Sequence, residues 1–515
     1  MNFNHIFIEN FSWYINSSTI ELFILGFLTI YLLRTRILKS IAVLKTTLST
    51  IFYCLFFLIM YTAFKPLLIN KYFTYNLFSE FELSFVEDSF TIFCKFFILI
   101  ISFICICLFS EQRIFKNQVE IKTNNTLIKN YENILNWTTL TILMTTCFIL
   151  LISTTNCLIF ILVLECVALI FYVICSRQES PASNSKIMFL YYAVGGFSAL
   201  FLLMGLFYIY ASAMTLNLTI LNDNIIKYEL YKDNCLLFGV LFFLFGLFIK
   251  LAFFPAHFWI PEVYEGCSIL SLVFLMILLK FSVFVFLLRF LFTGIYSLAL
   301  YWKWLCFYSA IGCLYFGTTF AAVESNLNKF LAGSSITQTG FLLLGLACAD
   351  FDGLVYTMFY LVVYLTNLFM LLVVILKLNT GYRLVHISDF RNLITKEPFW
   401  ACLLTFILLN LAGFPPTIGF FIKYNILNIL SLNGVWETIL FYGIFFLYSS
   451  FYYLKFMFLI MFGRYNSTNK VNLLSINKEN KTLISIILLS ALFFLMFYNK
   501  FLLILTDNWA KTLFN

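Results

Sequence analysis

An all-α, polytopic membrane fold of about fourteen transmembrane helices is what this sequence predicts, on three observations. Of its 515 residues, 62% are hydrophobic and only 11% charged, with a mean hydropathy of +0.96; ordinary globular chains are roughly 25% charged. Runs of about 20 apolar residues recur along the whole length, each long enough to cross a hydrocarbon core of about 30 Å as a helix. The alternating ten-residue pattern of an outer-membrane barrel is absent from the sequence.

Taken as apolar stretches bounded by charge or turn residues, the spans fall at 18–33, 46–64, 89–109, 136–153, 156–175, 187–213, 235–258, 268–292, 298–320, 329–348, 352–377, 398–430, 434–462 and 482–505. The segments 110–136 and 214–234 read as polar connections. No low-complexity linker divides the chain, which is therefore one integral membrane domain over 1–515: helices 1–3 in 1–135, two repeats at 136–292 and 298–462, and a C-terminal helix in 463–515. No loop exceeds about 30 residues, which leaves no room for a soluble catalytic domain.

Connections 1–2 (Arg34, Arg36, Lys39), 11–12 (Arg383, Arg391, Lys396) and 13–14 (Arg464, Lys470, Lys478, Lys481) are basic, whereas connection 2–3 carries Glu80, Glu82, Glu87 and Asp88. By the positive-inside rule the odd-numbered loops face the matrix or cytoplasm, and both termini face the opposite side. The start, MNFNHIFIEN, has no cleavable leader pattern, so the first helix is expected to be its own insertion signal. The net charge of +8 fits a surface of anionic lipid and gives no support to nucleic-acid binding. The 14 cysteines are scattered and the three histidines far apart, without CxxC or HxxxH spacing, so no zinc or iron–sulfur site is expected.

Most ionisable residues stand at span ends, where they can snorkel to the interface. Four are placed inside spans: Glu165, Lys250, Lys280 and Lys423. Each costs about 2.5–3.5 kcal/mol at a helix centre on insertion scales, so each is a functional candidate by default. The competing reading is a neutralising pair that fixes helix packing, but three lysines against one glutamate leave positive charge over. Desolvation and a nearby carboxylate act in opposite senses on a lysine's proton, and that balance is what a proton carrier needs.

Prolines accompany two of these lysines. Pro255 offers no N–H to the carbonyl of Leu251, so the span should break just after Lys250. In LAGFPPTIGFFIK, Pro415 and Pro416 free the carbonyls of Leu411 and Ala412, Gly413 and Gly419 loosen the turn, and Lys423 follows two turns later. Discontinuous helices at matching positions of two halves point to a transporter built from inverted repeats. Here the seventh and twelfth spans match if helices 4–8 and 9–13 are two five-helix repeats; packing kinks are the plainer alternative.

The residues KLAFFPAHFWIPEVYEG, LKFSVFVFLLR, ESNLNKFLAGSSITQTGFLLLGLA, LAGFPPTIGFFIKYNIL and YYAVGGFSALFLLMG resemble the antiporter-like membrane subunits of NADH–quinone oxidoreductase, respiratory complex I, across roughly 155–465. Among those subunits the likeness is to subunit 2: IPEVYEG is closer to it, subunit 4 typically carries Glu where Lys423 stands, and no residues remain for the lateral helix of subunit 5. The resemblance implies that Glu165 and Lys250 form an ion pair in a first half-channel, that Lys280 is the central relay, and that Lys423 is the terminal site. Departures touch the secondary relay candidates, His257, Gln338, Lys186 and Lys455. Gln338 stands where a histidine often sits, Leu190 takes a frequent lysine position with Lys186 one turn earlier, and CSILS at 267–271 replaces a proline-containing stretch.

The resemblance further implies a non-redox subunit of an NADH:ubiquinone reductase that translocates protons. NADH, FMN, iron–sulfur clusters and quinone would be held by partner subunits, and this chain itself would bind no cofactor and no metal. Expected partners are the other membrane-arm subunits (antiporter-like subunit 4 and the small core subunits), accessory subunits and lipids such as cardiolipin. A Phe- and Tyr-rich composition (67 and 30 residues) of the kind an AT-rich genome produces points to the mitochondrial inner membrane, with a bacterial inner membrane as the alternative. A free-standing cation/proton antiporter and a structural subunit with inert charges remain open as other readings.

Overall fold

The computed structural model describes residues 85–120, 124–176, 181–379, 385–415, 417–432, 436–463 and 499–514, with scattered positions between 24 and 62. Among the described residues the chain is all helix and connection, its β features being two isolated bridges, Phe85 with Thr154 and Asn326 with His386. Ten described helices are long and apolar enough to cross a membrane, and two further apolar helices are shorter. These account for predicted spans three to thirteen, the two short ones being halves of the twelfth. Predicted spans one, two and fourteen lie largely outside the described residues, as do Pro416 and the basic connections at 34–39 and 464–481.

The chain divides into two compact units, Met1–Arg177 and Gln178–Asn515, a boundary that falls inside the segment 136–292 expected to form one repeat. In the first unit, α1 (Ser89–Glu120), α2 (Asn124–Ser153) and α3 (Cys157–Ser176) follow one another. Helix runs through most of 110–136, correcting the expectation of a polar connection. That stretch holds no proline or glycine and is rich in Glu, Gln, Lys and Arg, which continue a helix beyond its apolar part. Phe109 stacks on Trp137 with ring centroids 4.0 Å apart, and Val86 N–H donates to the Ser153 carbonyl at 2.8 Å, tying the start of α1 to the turn after α2.

The second unit comprises α4 (Pro181–Ala213), α5 (Leu218–Lys227), α6 (Asn234–Leu251), α7 (Trp259–Gly266), α8 (Ile269–Gly294), α9 (Ala299–Val323), α10 (Leu327–Ala347), α11 (Phe351–Asn379), α12 (Pro398–Ala412), α13 (Ile418–Leu432), α14 (Trp436–Phe462) and α15 (Asn499–Phe514). The segment 214–234, also expected to be a connection, contains α5, whose Leu218, Leu221 and Ile225 share one buried face at helical spacing. Starts are marked by capping side chains: Asp233 accepts from Cys235 N–H and Asn326 from Asn328 N–H.

Helices α8, α10 and α11 form the centre, each with 94% of its span window buried, whereas α4 and α14 are peripheral at 22% and 28%. Close backbone approach holds two of the pairs together. A Cβ at Gly333 of α10 would lie 2.9 Å from the Ala321 nitrogen of α9, and one at Gly205 of α4 would lie 2.5 Å from the Phe243 nitrogen of α6. Small residues at such crossings replace the hydrophobic drive that lipid cannot supply.

Candidate functional site

The first break comes where the proline predicts it. Helix α6 ends at Leu251, one residue after Lys250, and Ala252 turns into the left-handed region at φ 55°. Ala252 N–H donates to the Ile249 carbonyl at 3.2 Å and Phe253 N–H to that of Phe248 at 2.9 Å, closing the helix end. The Trp259 indole N–H, at the start of α7, also reaches the Ile249 carbonyl at 3.0 Å. Across the break Phe254 N–H points at the Cys313 sulfur of α9, 3.1 Å away. Lys250 itself is buried, and His257 lies among the rings of Phe254, Phe258 and Phe316, at centroid distances of 5.9, 4.0 and 5.0 Å.

The second break repeats the turn with a different cap. Helix α12 ends at Ala412, Gly413 takes φ 80°, and Phe414 N–H donates to the Leu409 carbonyl at 3.1 Å. Lys423, on α13, folds back so that its Nζ donates to the Leu411 carbonyl at 3.0 Å and the Ala412 carbonyl at 3.3 Å. These are the two carbonyls that the prolines leave without helical partners, and a cation there also faces the negative end of the α12 dipole. The ammonium stands over the rings of Phe341 (4.8 Å) and Phe446 (5.3 Å). Asn410 staples the gap: its side-chain oxygen accepts from Gly419 N–H at 2.8 Å while its amide donates to Asn367 at 2.9 Å.

Between the breaks lies Lys280, in the most enclosed part of the unit at 4% exposure. Helix α8 widens into π turns over Phe274–Leu279, immediately before the lysine, and again over Phe290–Gly294. Lys280 Nζ donates to Ser335 Oγ of α10 at 3.1 Å. One turn further along α10, Gln338 Nε2 donates to the same Leu411 carbonyl that holds Lys423, at 3.3 Å, and to Tyr453 Oη at 3.1 Å. Tyr360 donates to Gln338 Oε1, and Thr337 Oγ1 is hydrogen-bonded to Tyr452 at 2.8 Å. The structure thus brings Lys280, Gln338 and Lys423 to one polar seam along α10, inside an apolar core.

The remaining predicted residues lie elsewhere. Lys186 is exposed and 3.9 Å from Glu262, and Lys455 is exposed on the outer face of α14, so neither joins the seam. Glu165 is half-buried on α3 of the first unit. No His, Cys, Asp or Glu cluster among the described residues could hold a metal ion. Sequence reasoning missed the π turns, the first of which, FLMILL, holds no proline or glycine as a signal, and the hydroxyl partners of α10, although the run SSITQT in a buried helix could have shown them. It also missed Lys95, buried inside α1 with its Nζ 2.7 Å from Glu87 Oε1.

Two broken helices, each beside a buried lysine, with a third lysine between, are a pattern that can be compared with known proteins. The sequence profile of the NADH:quinone oxidoreductase/Mrp antiporter transmembrane family matches residues 154–447. The chain belongs to that family. The NADH-quinone oxidoreductase subunit N of Coxiella burnetii is 28% identical over 389 residues, which are 74% of this chain and 78% of the relative. In fold the chain is similar to one from the membrane-bound sulfane sulfur reductase, an archaeal respiratory membrane complex (TM-score 0.80, 17% identity, 97% of this chain and 98% of that one). It is also similar to one from respiratory complex I of Thermus thermophilus with bound aureothin (TM-score 0.66, 18% identity, 96% of each). Both breaks and all the residues of the seam except Tyr452 and Tyr453 fall within the family match.

Proposed function

We propose that this chain is an antiporter-like, proton-translocating subunit of the membrane arm of an NADH–quinone oxidoreductase, coupling NADH oxidation and quinone reduction in partner subunits to proton movement. The observation that carries this reading is the seam itself. Lys280 and Lys423 are buried in the membrane-spanning core, and their polar contacts among the described residues are a hydroxyl and two carbonyls, so no carboxylate there locks either as a static ion pair. A buried amine held by neutral oxygens can both take up and give up a proton. Redox chemistry, and the NADH, FMN, iron–sulfur clusters and quinone it needs, is assigned to partners. This chain contributes the path, in which Lys280 acts on Lys423.

Within the family the finer assignment is to subunit 2, supported by IPEVYEG and by lysine at position 423; the Coxiella relative carries the name subunit N. Partners are then the neighbouring antiporter-like subunit, the small core membrane subunits, accessory chains and cardiolipin-type lipid. The Phe- and Tyr-rich composition supports a mitochondrial inner membrane, while the Coxiella relative supports a bacterial one. The family's Mrp antiporter branch supports a second reading, free-standing cation/proton exchange. Sodium-for-proton exchange by the purified chain in liposomes, without partners, would establish that one instead.

The decisive experiment is NADH-driven quinone reduction with simultaneous proton pumping in vesicles, normalised to assembled complex. Lys280→Ala is expected to lower pumping at least tenfold, the scale of a lost buried polar contact of about 1–3 kcal/mol. Lys280→Arg is expected to fail as well, because a guanidinium keeps its proton at any accessible pH. A Lys280→Arg variant that pumps at the wild-type ratio would remove Lys280 from the path.

A further inference from the structure

The residue at 338 is an amide. An amide side chain neither gains nor loses a proton under physiological conditions, yet Gln338 sits between Lys280 and Lys423 at 1% exposure with all its polar atoms engaged. We propose that Gln338 is a positioning residue for Lys423, acting through the Leu411 carbonyl, and not a proton carrier. The proposal rests on the proton-path reading above.

The argument is one of donors and acceptors. In an unbroken helix the Leu411 carbonyl would accept from the N–H of residue 415, but residue 415 is a proline and has none. The carbonyl's two lone pairs are taken instead by Lys423 Nζ at 3.0 Å and Gln338 Nε2 at 3.3 Å. Orientation of the amide is not free: Tyr360, from α11, donates to Oε1, so the nitrogen end must face Leu411 and Tyr453. Turned over, the amide would set its oxygen against the Leu411 carbonyl, acceptor against acceptor. Helices α10, α11 and α14 therefore together hold one N–H on the broken end of α12. That contact holds the Leu411 carbonyl in the place from which it meets Lys423. A buried carbonyl held by one donor instead of two is free to tilt, and the lysine moves with it.

The test compares protons pumped per NADH oxidised, in vesicles carrying the assembled complex, for Gln338→Met, Gln338→Glu, Tyr360→Phe, Tyr453→Phe and Lys423→Ala. Methionine keeps the volume without a donor, and glutamate keeps the shape and adds a titratable group without N–H donors. Gln338→Met and Gln338→Glu are each expected to lower the ratio about tenfold, and Tyr360→Phe and Tyr453→Phe several-fold, as single buried contacts do. A wild-type ratio in Gln338→Met would reduce position 338 to packing, and one in Gln338→Glu would make it a carrier; either overturns the proposal. Should the position-338 variants fail to assemble on native gels, the two phenylalanine variants decide, since each removes a single oxygen; wild-type ratios in both overturn it. A wild-type ratio in Lys423→Ala is a different result, because it removes the proton-path reading itself.

Discussion

The two breaks share a backbone and differ in what closes them. Both helices end on a left-handed residue, Ala252 at φ 55° and Gly413 at φ 80°, and both return an N–H to a carbonyl in the last turn. After α6, however, the Ile249 carbonyl accepts from both Ala252 N–H and the Trp259 indole, while the lysine belongs to the helix that is ending. After α12 the lysine comes from the following helix and is itself the cap. One pattern in the sequence, a lysine near a proline, thus yields two arrangements: a lysine in the last turn of the ending helix, and a lysine that reaches back from the next helix to cap the end. At the second site, moving the lysine uncovers the Ala412 carbonyl.

The largest effect that could break this comparison is expected from Lys423→Met against Lys250→Met. Both should lower pumping, and Lys423→Met should also weaken the end of α12, by about 1–3 kcal/mol, because the Ala412 carbonyl loses its donor and the Leu411 carbonyl keeps Gln338 alone. Heat resistance of the assembled complex on native gels checks it, and equal losses in both variants would mean the two breaks are closed alike.

Gly413→Ala comes next. It forces a side chain into the left-handed region at a cost of about 1–2 kcal/mol, and its Cβ would lie 3.1 Å from both Lys423 Cδ and Phe446 Cε2. Reduced heat resistance together with reduced pumping is expected. Trp259→Phe removes one hydrogen bond at the first break, for about 1 kcal/mol, and should lower heat resistance while leaving Lys423-dependent pumping in place. Smallest, and opposite in sign, is Ala252→Gly, which relieves a left-handed alanine and should raise heat resistance by up to about 1 kcal/mol. A loss there would show that the first turn depends on its methyl group.

How much of this was legible in the chain follows from what each feature is made of. Spans three to thirteen were readable because a helix in lipid must be apolar over its length, and the breaks because proline has no N–H to donate. That Leu411 and Ala412 would be left without helical partners could be derived from Pro415 and Pro416; that Lys423 would supply them could not, because it depends on how α13 folds back. The helix through 110–136 was hidden because the reading followed hydropathy, which ends where the apolar run ends, whereas backbone propensity does not. Lys95 was passed over as a residue near a span end, yet it is one of the most enclosed charges in the described structure, since Glu87, eight residues earlier, accompanies it inward. Lys186 and Lys455 were chosen by position along helices; the side of the helix they occupy puts them on the surface.

The π turns of α8 have a consequence for alignment and editing of this chain. A π turn amounts to one residue more than an α-helix needs, so everything after it is rotated by about 100° relative to a helix without it. The face that Lys280 shows to Ser335 is therefore not the face that an α-helical wheel drawn from residue 269 assigns to it. Deleting a single residue between 274 and 279 would remove that extra residue and leave the lysine facing Ser335, whereas a plain α-helix of the same length would turn it to another neighbour. In a relative with one residue fewer in this helix, a gap placed at 274–279 would bring its lysine into register both in sequence and in space.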